Sequence, residues 1–93
     1  MVRFEWHQQK AASNIKKHGV SFDEASTVFN DPLARIFDDP AHSLIEAREL
    51  IIGCSVAGRM LVISFLEREA GLVRIISARP ATRKEQADYE ENI

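Results

Sequence analysis

The chain has 93 residues, 45% of them hydrophobic and 28% charged, with a formal net charge of −2. That length predicts one domain, and the composition excludes global disorder. A domain this small buries only about 60–65% of the surface its unfolded chain exposes, so its core is thin. No run reaches the roughly 18 apolar residues of a membrane span. The first ten residues lack the apolar stretch of a signal peptide, and the single cysteine, Cys54, cannot build a disulfide framework. A cytoplasmic protein with no membrane partner is therefore expected. The charge is uneven: residues 1–20 hold Arg3, Lys10, Lys16 and Lys17 against Glu5, and residues 59–84 hold six basic residues against Glu67 and Glu69. Residues 21–56 between them hold Arg35 and Arg48 against seven acids. If the two basic segments meet in the fold, a mildly acidic protein acquires a basic face; otherwise the signs are mixed over a solvated surface.

In chain order, Arg3–Trp6 reads as a short strand. From Gln8 to His18 the lysines, glutamines and alanines favour helix, and Gly19 stands where a helix takes a left-handed C-terminal residue. Lys16, Lys17 and His18 fill the last turn, where cations suit the helix dipole. Ser21 and Glu24 form a capping-box pattern. The helix they open places Phe22, Ala25, Val28 and Phe29 on one face, and Asn30-Asp31-Pro32 stops it. Leu33–Phe37 reads as a strand closed by Asp38-Asp39-Pro40, and residues 41–46 as a loop around His42. Arg48–Ser55, Met60–Leu66 and Leu72–Ala78 read as further strands, separated by turns at 56–59 and 67–71. Such short links impose antiparallel pairing. Thr82 and Glu85 form a second capping box, after Pro80, for a helix running to about Glu91. The order is βααββββα: an α+β fold with an antiparallel sheet of four to five strands, its helices against one face and the other face partly open.

Few residues suit covalent or metal chemistry. Cys54 sits mid-strand among apolar neighbours as an inert thiol, and His7, His18 and His42 have no metal-ligand spacing. No nucleophile elbow, P-loop or dinucleotide fingerprint is present, so no cofactor is expected. The arginines of the last strand carry more chemistry. Strict alternation puts Val73, Ile75, Ser77 and Arg79 on one face and Arg74, Ile76 and Ala78 on the other. Arg83 follows in the first turn of the last helix, where a cation opposes the dipole and an anion is favoured. Arg79 and Arg83 can grip a phosphate or simply bond to acids such as Glu67 or Glu85. Glu46 and Arg48, two apart on an extended segment, can form a second pair.

Taken together, Phe4-Glu5-Trp6, Asn14, Lys17-His18-Gly19-Val20-Ser21-Phe22, Asp31-Pro32-Leu33, Glu46 with Arg48, Ile52-Gly53, and Ile75-Ile76-Ser77-Ala78-Arg79 with Thr82, Glu85 and Tyr89 resemble the BrnT family, the ribonuclease toxins of bacterial type II toxin–antitoxin operons. The resemblance covers nearly the whole chain in order. It implies a RelE-like fold and metal-independent RNA cleavage. It also implies neutralisation by a BrnA-like ribbon-helix-helix antitoxin, with DNA reached only indirectly through that partner and a heterotetramer as the common assembly. For such an enzyme, Arg79 and Arg83 are expected to hold the scissile phosphate and His18 and Glu67, with Glu46 behind them, to move protons. Lys17, Arg48, Arg74, Ser77 and Tyr89 are expected to bind the RNA backbone. Phe4 and Trp6 are expected in the core. A non-catalytic module that docks a protein on the same basic surface is the competing class.

Overall fold

Helix α1 (Gln8–His18) ends where the sequence says it must. Gly19 adopts φ +70°, and its N–H donates to Ile15 O at 2.8 Å. It follows strand β1 (Arg3–Glu5) and precedes α2 (Phe22–Thr27), which runs into a single 3-10 turn, Val28–Asn30. In the computed structural model, which describes residues 2–39 and 47–91, the remaining elements are β2 (Arg35–Asp38), β3 (Glu49–Cys54), β4 (Met60–Glu69), β5 (Leu72–Pro80) and α3 (Arg83–Glu91). The expected loop at 41–46, with His42 and Glu46, lies outside the described residues, as does Pro40. No helix among the described residues is long and apolar enough to cross a membrane.

The strand order is β1-β5-β4-β3-β2. Strands β2 to β5 form antiparallel ladders, as their short links require, but β1 pairs parallel to β5, which corrects the all-antiparallel expectation. No hairpin joins β1 to β5, so the rule that short links impose antiparallel pairing does not act on it. A second correction concerns β5 itself. Ser64 pairs with Ser77 and Phe65 with Ile75, so Ile76 is a bulged residue without a partner. A bulge shifts the alternation by one. Val73, Ile75 and Ala78 therefore share one face, in the main core, while Arg79 lies opposite Val62 on the other.

That main core joins Val20, Phe22, Ala25 and Val28 of the helical layer to Ile51, Leu61, Ile63, Phe65 and Ile75 of the sheet. Phe29 stacks edge-on between Phe4 and Phe65 with centroids 5.1 and 5.0 Å away, and Trp6 meets Phe22 at 5.9 Å. Phe4 and Trp6 are thus packing residues, each ring pair contributing about 0.5–1.5 kcal/mol beyond area burial. Gly53 is glycine because a Cβ there would lie 2.9 Å from Ala34 Cβ and 3.0 Å from Val28 Cγ1. Not all helices share this face. Ile52 and Val62 point the other way, and α3 covers them with Tyr89, aided by Ala81.

Two polar hubs tie the layers together. Ser21 Oγ accepts from the Glu24 N–H, but Glu24 does not complete the capping box. Its carboxylate takes a bidentate ion pair from Arg59 and a 2.7 Å bond from Ser55 Oγ, clamping the β3–β4 hairpin to α2. Charge-assisted bonds of this kind outcompete a neutral N–H. Asp31 accepts from the N–H groups of Leu33 and Cys54 and from Tyr89 Oη, joining the start of β2, the end of β3 and α3. Cys54 is half-buried rather than enclosed.

Candidate RNA-binding site

Strand β1 accompanies β5 only as far as Arg74, opposite Glu5. Beyond that point the open edge of β5 is covered by α1. Buried Asn14 supplies the missing strand partner: Nδ2 donates to Ala78 O at 2.8 Å and to Val20 O at 2.9 Å, and Oδ1 accepts from Ala78 N at 3.1 Å. This docking opens a groove of about 230 Å³ between helix and strand, lined by Lys10, Ser13, Lys17 and His18 of α1 and Ile76 and Ser77 of β5. Lys17 is exposed and His18 half-buried. The two basic segments of the sequence therefore do meet.

The same end of the sheet holds the strand–helix junction. Arg59 Nη2 reaches Gly19 O at 3.0 Å, and Ala81 N–H donates to Met60 O at 2.9 Å. The end of α1, the β3–β4 turn and the start of α3 therefore lie together. The Thr82–Glu85 capping box is complete in both directions, at 2.8 and 3.1 Å. Arg79 Nη1 and Nη2 each donate to a Glu85 oxygen at 2.8 Å, and Nη1 also to Pro80 O at 3.3 Å. The guanidinium fork is thus bonded to Glu85, one of the two acids the sequence offered as its alternative partners. Nε–H and one Nη2 proton remain for a ligand, from the five donors a guanidinium has. Arg83 opens α3, is exposed, and has no ion-pair partner among the described residues.

The Arg79 guanidinium, with help from the Thr82 N–H, pulls the Glu85 carboxyl from its ordinary 4.5 down to about 2, against the opposing effect of burial. Its folded value is depressed, so the bond stabilises the fold fully above pH ~4.5 and is lost as pH falls towards 2. Glu85→Gln is therefore expected to be less stable than the parent at pH 7. The gap should close between about pH 5 and pH 2, as urea unfolding across that range would read.

The other expected site residues lie elsewhere. Glu67 pairs with Val73, five residues along β4 from the Arg79 partner Val62, or about 17 Å away. Its carboxylate accepts from the Gly71 N–H and so closes the β4–β5 turn. Arg74 sits about 13 Å from Arg79 by the same measure, opposite Leu66, where its Nε donates to Glu5 at 2.8 Å. Arg68 shares that carboxylate and, more than Arg74, holds its pKa low. Arg48 precedes β3 at the far end of the sheet, where its carbonyl accepts from Asp39 N–H. Tyr89 is buried under α3, and burial with the Asp31 bond pushes its hydroxyl up to about 12. Both ends of that side chain have structural partners.

Among the described residues, Arg3, Arg59, Arg68, Arg74 and Arg79 are in ion pairs, while Lys10, Lys16, Lys17, Arg35, Arg83 and Lys84 are in none. The free cations are thus mostly on α1 and at the start of α3. No three His, Cys, Asp or Glu side chains among the described residues gather as a metal set.

A mixed five-stranded sheet, two N-terminal helices on one face and a C-terminal helix on the other define a RelE-like α+β protein, here with a basic groove at the end of β5. The family described as "Ribonuclease toxin, BrnT, of type II toxin-antitoxin system" matches residues 6–85, and the chain belongs to that family. Among solved structures, the 1.1 Å crystal structure of the Brucella abortus ribonuclease toxin BrnT superposes with a TM-score of 0.69. The match spans 89% of this chain and 100% of that one at 22% identity, a likeness of fold. No curated protein matches in sequence.

Proposed function

We propose that this chain is an endoribonuclease toxin, cleaving cytoplasmic RNA without a metal by attack of a 2′-OH on the adjacent phosphate. The observation that carries this reading is the convergence of Lys17, His18 and Ser77 on one groove, at the end of β5 that leads into Arg83. In the reaction the 2′-oxygen–phosphorus bond forms and the phosphorus–5′-oxygen bond breaks. His18 takes the 2′-OH proton as the general base. Lys17 and Arg83 stabilise the charge on the phosphorane, Ser77 donates to a phosphate oxygen, and the leaving 5′-oxygen takes a proton from solvent. Arg79 acts as a positioning residue: locked to Glu85, it fixes the junction and keeps two donors for the phosphate. The partner is a BrnA-like ribbon-helix-helix antitoxin, joined with the toxin in a heterotetramer, with DNA bound by the antitoxin.

Expression of the chain without antitoxin is expected to arrest bacterial growth and to leave RNA fragments ending in 2′,3′-cyclic phosphate. Normal growth with folded protein and intact RNA would sink this reading. It would favour a non-catalytic docking module, a role that the neutralised Arg79 fork also suits.

A further inference from the structure

Helix α1 carries three lysines and no acid. Lys16 and Lys17 lie in its last turn, where the dipole rewards a cation. Lys10 does not. It is the third residue of the helix, in the first turn, where the dipole opposes a positive charge. It makes no ion pair among the described residues, and no acid stands on its own helix to offset it. It nevertheless lines the same groove as Lys17, His18 and Ser77. Seven residues separate Lys10 from Lys17, about two helical turns, so both project from one side of the helix roughly 10 Å apart along its axis. Helix stability does not ask for a lysine at this position, whereas an anion in the groove does.

We propose that Lys10 is a second phosphate-binding residue, holding the RNA backbone away from the cut. Successive phosphates of a stacked strand advance about 3.4 Å along its axis, so the phosphates at Lys10 and Lys17 are roughly three nucleotides apart. The substrate is then a strand at least four nucleotides long, gripped through its backbone and so with little base preference at that subsite. This inference rests on the ribonuclease reading above.

The test is a fluorescence-anisotropy titration of the intact protein with a labelled 2′-O-methyl hexanucleotide, which has no free 2′-OH and is not cut, at several salt concentrations. Lys10→Gln is expected to weaken binding about threefold and to reduce the slope of log affinity against log salt by about 0.7, the loss of one phosphate contact on a single strand. Lys10→Arg restores both, and Lys16→Gln, on the same helix but outside the groove, keeps the parental slope. An unchanged affinity and slope in Lys10→Gln overturns the assignment. If the parent still cleaves unmodified RNA, the ribonuclease reading stands without it. A parent that neither binds the hexanucleotide nor cleaves RNA overturns both. Loss of binding to an acidic peptide rather than to the hexanucleotide in Lys10→Gln overturns the proposal in favour of a protein-docking face.

Discussion

Asn14→Ala is expected to lower the unfolding free energy by about 3–5 kcal/mol and the thermal midpoint by roughly 15–30 °C, the largest stability effect of a polar substitution in this fold. Asn14 is 6% exposed and makes three hydrogen bonds to backbone groups, two of them to the two sides of one residue, Ala78. Its amide acts as a one-residue strand, closing the edge of β5 where β1 has run out. Truncation leaves the Ala78 N–H and C=O and the Val20 C=O without partners, at about 1–3 kcal/mol for each buried group that water cannot reach. A domain of this size has only about 5–15 kcal/mol in total. Asn14→Asp sharpens the test. Its carboxylate accepts from Ala78 N–H but faces two carbonyl oxygens it cannot donate to, so it should be at least as damaging at pH 7 and recover as acid protonates it. Thermal unfolding followed by circular dichroism measures both, and a loss below about 1 kcal/mol would show that α1 does not hold the edge this way.

The second large effect is on rate. His18→Ala should slow RNA cleavage by about 10²–10⁴-fold, the usual worth of a positioned proton-transfer group. Arg83→Ala should slow it by about 10²–10³-fold as a lost electrostatic donor. Neither should cost more than about 1 kcal/mol of stability, because one side chain lies at a helix end and the other is exposed. Arg79→Ala should behave differently. It removes the clamp on Glu85 and strips the α3 capping box of its counter-charge, so rate and stability fall together. The rates are read on purified variants with a defined RNA, and the stabilities on the same samples.

Much of the fold was legible locally. The bounds of α1, its Gly19 terminus and the complete Thr82–Glu85 box follow from caps and propensities that act within a few residues. The parts that were not legible depend on distant partners. The parallel pairing of β1 with β5 joins residues 69 apart in sequence, with no turn to announce it. The bulge at Ile76 is an insertion in a ladder, not in a sequence pattern, and it moved Arg79 away from the face shared by Val73 and Ile75. Glu24 satisfied the capping-box spelling, yet Arg59 claimed its carboxylate.

The candidate site divides in the same way. Lys17, His18 and Ser77 were expected at the site through the family resemblance, but the groove they share depends on Asn14, which docks α1 on β5. Glu67, expected as a proton-transfer group, closes the β4–β5 turn with its carboxylate, a contact set by Gly71 and not by the site. Lys10 carries a local signal of its own, a cation in the first turn of a helix that has no acid, but its place in the groove depends on the docking of α1.

The measurement that bears most directly on the groove is end-mapping of RNA cut by purified protein in the presence of a chelator, with His18→Ala alongside. The parent should leave 2′,3′-cyclic phosphate and 5′-OH ends, and His18→Ala should be slower by at least about 100-fold while equally folded. Fragments ending in 3′-OH and 5′-phosphate, or a His18→Ala variant that cuts as fast as its parent, would contradict the assignment of this groove as the place where RNA is cleaved.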